Sequence, residues 1–175
     1  MKRMVFGRAW MFVLLVTAGC AASAARRCIP TECANPVLLG PESEIESLPA
    51  FQKLKALRPG TPAYETGSIH YLIERISRSK RHFMRNGETF GGQRAAMHLR
   101  WKFRRQHERE MTAEAFIDEV ASRSKLSGKE YLVRGDRNEY YSLRQTLLKE
   151  LEILTAKRDP ALKGTGVPAD TPEGP

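Results

Sequence analysis

Cysteine is scarce in this 175-residue chain: there are three, at positions 20, 28 and 33. No disulfide framework can therefore span the body of the protein. One bridge, Cys28 to Cys33, is open in an oxidising compartment, and it would close too small a loop to add much stability. The same two residues lack the further cysteines or nearby histidines that a zinc clip needs. Histidine is sparse as well. His70, His82, His98 and His107 show neither H-x-x-x-H nor H-E-x-x-H spacing, so no metal site is expected, and no cofactor is implied.

Long apolar runs are also rare. The one present, Ala9 to Gly19, follows Lys2, Arg3 and Arg8 and precedes small residues. Positive, then apolar, then small is the order of an export signal. Two processing routes fit it. Thr17-Ala18-Gly19-Cys20 resembles a bacterial lipobox, with Cys20 as the lipidated N-terminus, whereas Ala22-Ser23-Ala24 offers an A-x-A cleavage site. A retained anchor fits less well, because the uncharged span 9–25 sits at the short edge of the roughly 17 to 25 residues that a spanning helix requires. The expectation is an exported, periplasmic protein, held to the membrane through lipid if Cys20 is processed.

Acidic residues thin out in the middle of the chain. Ile69 to Met111 holds 11 Lys and Arg against 4 Asp and Glu, while Thr112 to Pro175 is nearly balanced at 10 against 11. The formal charge of +9 falls to +6 once Lys2, Arg3 and Arg8 are removed, so most of the excess is local. In the cytoplasm such a stretch would point to nucleic acid. Outside it, nucleic acid drops out, and the expected partners are anionic envelope lipid, a cell-wall polymer or an acidic protein.

With 41% hydrophobic and 28% charged residues, the chain suits one globular domain, and the 10 prolines and 13 glycines crowd its flanks. The division read from this is a signal or lipobox over 1–20, a Pro-rich tether over 21–66, a domain over 67–156 and a disordered tail over 157–175. One short helix is admitted in the tether at Ala50 to Leu57. The domain opens with Ile69, Leu72, Ile73 and Ile76, an i, i+3, i+4, i+7 stripe for a helix capped by Thr66 or Ser68. His82 to Phe90 reads as a hairpin about Asn86-Gly87, two residues that tolerate the positive φ of a tight turn. A basic helix follows from Gln93 to about His107, with Ala96, Leu99 and Phe103 inward. Thr112 caps a third helix, Glu130 to Arg134 is a strand, and Ser142 caps a last helix rich in leucine. The fold class is α+β: about four helices on a small sheet made of the hairpin and one later strand.

Phe83-Met84-Arg85-Asn86-Gly87, Ala96 to Lys102, Thr112 to Ile117, Val120-Ala121-Ser122 and Ser127 to Val133 together resemble the YfeK-like family of small exported bacterial proteins. The likeness runs from about Ile69 to Leu154. It implies an envelope location and a domain of unknown function, with no activity attached.

Candidate ligand-binding residues follow from chemistry. Arg85, beside the Asn86-Gly87 turn, can fork a carboxylate or phosphate. His98 and Lys102 share a helix face at i, i+4, and Arg100, Arg104, Arg105, His107 and Arg109 lie on the outer helix near Trp101. Ser122, Ser124 and Ser127, with Gly128, offer hydroxyls and backbone amides to an anion. Bland readings stand beside these: a turn, a structural His and Lys, a solvated face, a helix end. The leading functional reading is a non-catalytic envelope protein that binds an anionic component. Its rivals are an envelope hydrolase with His98 as base and one of the three serines nearby, and a purely structural lipoprotein.

Overall fold

The computed structural model describes residues 36–106 and 111–159. Cys20, Cys28, Cys33, His107, Arg109 and the residues after 159 lie outside them, as do the expected signal and most of the tail. Among the described residues no helix is long and apolar enough to cross a membrane. The fold is α+β, with one four-stranded antiparallel sheet in the order β2-β1-β3-β4.

The tether expectation over 21–66 needs correction at residues 39–54. Leu39, Ile45, Leu48, Phe51 and Leu54 are buried in the core. They sit on an extended stretch, a 3₁₀ turn at Glu42–Ser47 and helix α1 at Pro49–Lys55. The prolines punctuate this strap without loosening it, since Pro at a first helical position lacks only an amide that would be unpaired anyway. The same rule corrects the start of the next helix. Helix α2 spans Pro62–Arg78, and its cap is Thr61, whose Oγ1 accepts from the Tyr64 amide at 3.3 Å. Neither Thr66 nor Ser68 caps it; the Ser68 hydroxyl donates to the Tyr64 carbonyl from inside the helix. Gly67 lets α1 lie directly on α2, because a Cβ there would come within 2.7 Å of Leu54 Cδ1.

A buried ion pair fastens the strap to both long helices. Arg75 of α2 donates Nε to Glu150 Oε2 at 2.8 Å and Nη2 to Oε1 at 3.1 Å. Its Nη2 also reaches the Gly40 carbonyl, and the Leu39 amide donates to Glu150 Oε1 at 2.8 Å. Glu150, fully buried on the last helix, thus holds a cation and an amide at once.

Strands β1 (His82–Arg85) and β2 (Glu88–Gly91) pair around Asn86 and Gly87, at φ 54° and 89°. Helix α3, Gly92–Arg104, starts at once. Gly92 is needed there: a Cβ would collide with the Ile76 carbonyl and come within 2.7 Å of the Ser79 carbonyl, so α3 could not pack against the end of α2. Thr112 caps the short helix α4, Ala113–Phe116, accepting from the Ala115 amide at 3.1 Å. The helix then widens into a π turn over Ile117–Ala121.

Strand β3 (Leu132–Arg134) pairs with β1, and the sheet gains a strand not expected from sequence, β4 at Tyr140–Ser142. Helix α5 spans Leu143–Arg158. Ser142 precedes it without capping it, because its hydroxyl donates to the Glu130 carboxylate. Alternation along the sheet fixes what faces the helices. Phe83 and Val133 are paired and buried, so Arg85 and Tyr131, two residues away on their chains, project to that same side.

Candidate functional site

Arg85 leaves the end of β1 toward α3 and meets His98, with Nη1 3.5 Å from His98 Nδ1. Tyr131 stands edge-on to the imidazole at 6.4 Å between centroids. On the other side His98 stacks on Trp101 at 6.0 Å and 26°, and the Arg105 guanidinium covers Trp101 at 4.8 Å. Positions 98, 101 and 105 share one helix face, so the three planar groups form a column along α3.

Two depressions meet at this group. The larger, of about 720 Å³, is lined by Arg85, His98, Trp101 and Tyr131 with Arg94, Arg104 and an apolar wall that includes Phe83, Phe90, Ala95 and Leu99. The smaller, of about 390 Å³, shares Arg85, His98, Trp101 and Tyr131 and adds Lys102, Arg105, Ser124 and Lys125. Met97, Trp101 and Leu126 are exposed around the two. Glu88 is the one acid on either lining, and among the described residues it forms no ion pair with the cations there.

Electrostatics follow from that imbalance. Burial, reinforced by Arg85 and Lys102, holds the His98 imidazole below its ordinary value. Burial, with Lys125 and Arg85, pushes the Lys102 ammonium down to about 8. Two polar atoms, Arg85 Nε and His98 Nε2, are shut from solvent and have no hydrogen-bond partner. A buried unpaired donor costs about 1–3 kcal/mol, so this packing leaves both side chains unsatisfied.

Arg85, His98, Lys102, Arg104 and Ser124 are thus brought to one place. Lys102 serves the scaffold as well as the site: its Nζ donates to the carbonyl oxygens of Val120 and Arg123 and lies 3.5 Å from the Tyr131 hydroxyl. Asn86 and Ser127 form a bracket, with the Ser127 hydroxyl donating to Asn86 Oδ1 at 2.6 Å and tying the hairpin tip to the loop before β3. Ser122 turns inward and donates to the Asp118 carbonyl. The loop amides read as an anion cradle are engaged internally: Ser124 with the Lys129 carbonyl, Gly128 with the Ser124 carbonyl, and Ser127 with the Ser124 hydroxyl oxygen. None of the three serine hydroxyls contacts His98, so the Ser–His pairing that the hydrolase reading requires is not formed.

The basic helix does not present a single face. Arg100 acts on His70 of α2, while Arg104 and Arg105 look toward the cleft. Tyr131, Arg94 and Lys125 are lining residues that the sequence reading missed. Tyr131 was recoverable from the two-residue alternation that starts at Val133. Among the described residues no three His, Cys, Asp or Glu side chains gather as metal ligands would.

The depressed Lys102 value has a checkable consequence. An unfolded lysine titrates near 10.5, so between about 8 and 10.5 the unfolded chain binds more protons and stability rises with pH. The cost is fully present below the folded value and is gone above the unfolded one. Comparing denaturant unfolding of the native chain and Lys102→Met at pH 7.5 and 10.5 should show the native chain gaining about 3 kcal/mol relative to the variant. A pH-independent difference would mean that the buried ammonium is not strained.

Residues 63–155, more than half of the chain, match the family of unknown function DUF5329. The chain belongs to that family. A 70-residue stretch is 39% identical to the uncharacterized protein YfeK of Salmonella typhimurium strain LT2, covering 39% of this chain and 58% of that protein. The chain therefore matches a little over half of this relative's length. No solved structure matches. The DUF5329 match contains every cleft residue named above, from Phe83 to Tyr131, and excludes the strap before residue 62.

Proposed function

We propose that this DUF5329 protein is a non-catalytic component of the bacterial envelope that binds an anionic envelope constituent in the cleft between β1 and α3. The export-type N-terminal sequence supports the compartment. One observation carries the binding reading. Arg85, Arg94 and Arg104 line one concavity beside His98, with Glu88 as its one acid, and none of the three arginines forms an ion pair among the described residues. Cations kept together at the cost of mutual repulsion are stabilised when an anion joins them.

Sedimentation with vesicles tests this. The purified chain is expected to follow phosphatidylglycerol vesicles and not phosphatidylcholine vesicles, and to release as salt rises from about 0.05 to 0.5 M, because screening shortens the reach of each charge. Equal partition to both, or binding indifferent to salt, would remove the reading and leave a structural lipoprotein in its place.

A further inference from the structure

We infer that the cleft takes a single amphiphilic anion, an alkyl chain bearing one carboxylate or phosphate head, with the head at Arg85 and His98 and the chain along the apolar wall of the larger depression. This deepens the anion-binding reading and rests on it. The head position is marked by Arg85 and His98, the basic side chains that line both depressions; their buried Nε and Nε2 lack partners and would turn outward to meet the head. The chain position is marked by the contrast beyond them. Phe83, Ala95 and Leu99 give an uncharged wall, Phe90 continues it with the Arg94 guanidinium 4.9 Å over its ring, and Glu88 and Arg104 complete the lining.

Other ligands satisfy only half of this surface. A small polar anion would leave the wall wetted, and a neutral hydrocarbon would leave the guanidinium and imidazole unanswered. A sugar polymer usually needs an open aromatic face, and Trp101 already carries the His98 ring and the Arg105 guanidinium. The larger depression, about 720 Å³, falls within the roughly 300–1,000 Å³ of sites that enclose one small ligand, too small for a bilayer surface and ample for one chain. Exposed Met97 and Trp101 lie on the lining of this depression, where a chain leaving a bilayer would first touch protein.

Calorimetric titration of the full chain tests the inference with three probes: myristate, 1-myristoyl lysophosphatidate and inorganic phosphate. Each buried methylene multiplies affinity about fourfold, so an acyl chain seated by four or more of them should bind more than about 100-fold tighter than phosphate. Whichever amphiphile binds more tightly identifies the head. Ala95→Phe, which fills the wall, should bring the amphiphile-to-phosphate affinity ratio below about threefold. Phe90→Ser, a milder change on an edge strand, should reduce the advantage at least threefold if Ala95→Phe does not fold. Amphiphiles within threefold of phosphate would overturn this inference and leave the anion site standing. Absence of binding by all three probes and by anionic vesicles would overturn both.

Discussion

Glu150→Ala is expected to lower the unfolding free energy by about 3–5 kcal/mol, the range found when one partner of a buried ion pair is deleted. The carboxylate is fully buried and meets three demands: the Arg75 Nε, the Arg75 Nη2 and the Leu39 amide. Removing it leaves a guanidinium in the interior with only the Gly40 and Pro41 carbonyls as partners. Since domains of this size are stable by only about 5–15 kcal/mol, such a loss is a large fraction of the whole. Glu152→Ala, two positions along, is the control: Glu152 is 68% exposed and pairs with Lys149, so its removal should cost under about 1 kcal/mol. The double change Arg75→Met with Glu150→Met should recover part of the loss, because it removes both charges together. Urea melts of the three proteins decide the matter. A Glu150→Ala chain as stable as the Glu152→Ala chain would show that the pair does not hold the strap.

Arg85→Gln carries the largest expected effect on binding. Charge-assisted hydrogen bonds contribute about 1.5–3 kcal/mol, so affinity for phosphatidylglycerol vesicles should fall about 10- to 100-fold. Stability should not fall by more than about 0.5 kcal/mol, because the guanidinium makes no ion pair among the described residues and its buried, unpartnered Nε is itself a cost that the change removes. The variant also reports on His98. Burial is the first cause of its lowered value and Arg85 the second, so removing the arginine should move the imidazole upward. More of His98 is then charged at acid pH, which restores some attraction. The deficit of Arg85→Gln should therefore be greatest above about pH 7 and shrink as pH falls toward 5. Unchanged vesicle binding at every pH would place the anion elsewhere on the molecule.

Sequence was most informative where local geometry dominates. Asn86-Gly87 specifies its turn by backbone preference alone, and Thr112 announces a helix through one side-chain acceptor. It was least informative where burial overrides punctuation. Ile45, Leu48, Phe51 and Leu54 recur every third residue, a spacing that marks a tight helical face, but the neighbouring prolines masked it. Strand β4 escaped notice because three residues are too few to show alternation. In the site, Arg85 and His98 were accessible from their chemistry and the helix register. Their meeting, and the presence of Tyr131 beside them, depends on a β1–β3 pairing across nearly fifty residues that no local pattern encodes. The serines misled for a related reason. Hydroxyl-rich loops can serve a ligand or themselves, and here Ser124 and Ser127 close the loop on its own amides.

The strap has a practical meaning for how this family is cut and compared. The family match begins at residue 63, after five core side chains have already been supplied by residues 39–54. A protein trimmed to the matched boundaries would bare Tyr71, on which Phe51 packs, and strand the Arg75–Glu150 pair without its backbone partners. The smallest piece able to stand alone therefore starts ahead of Leu39.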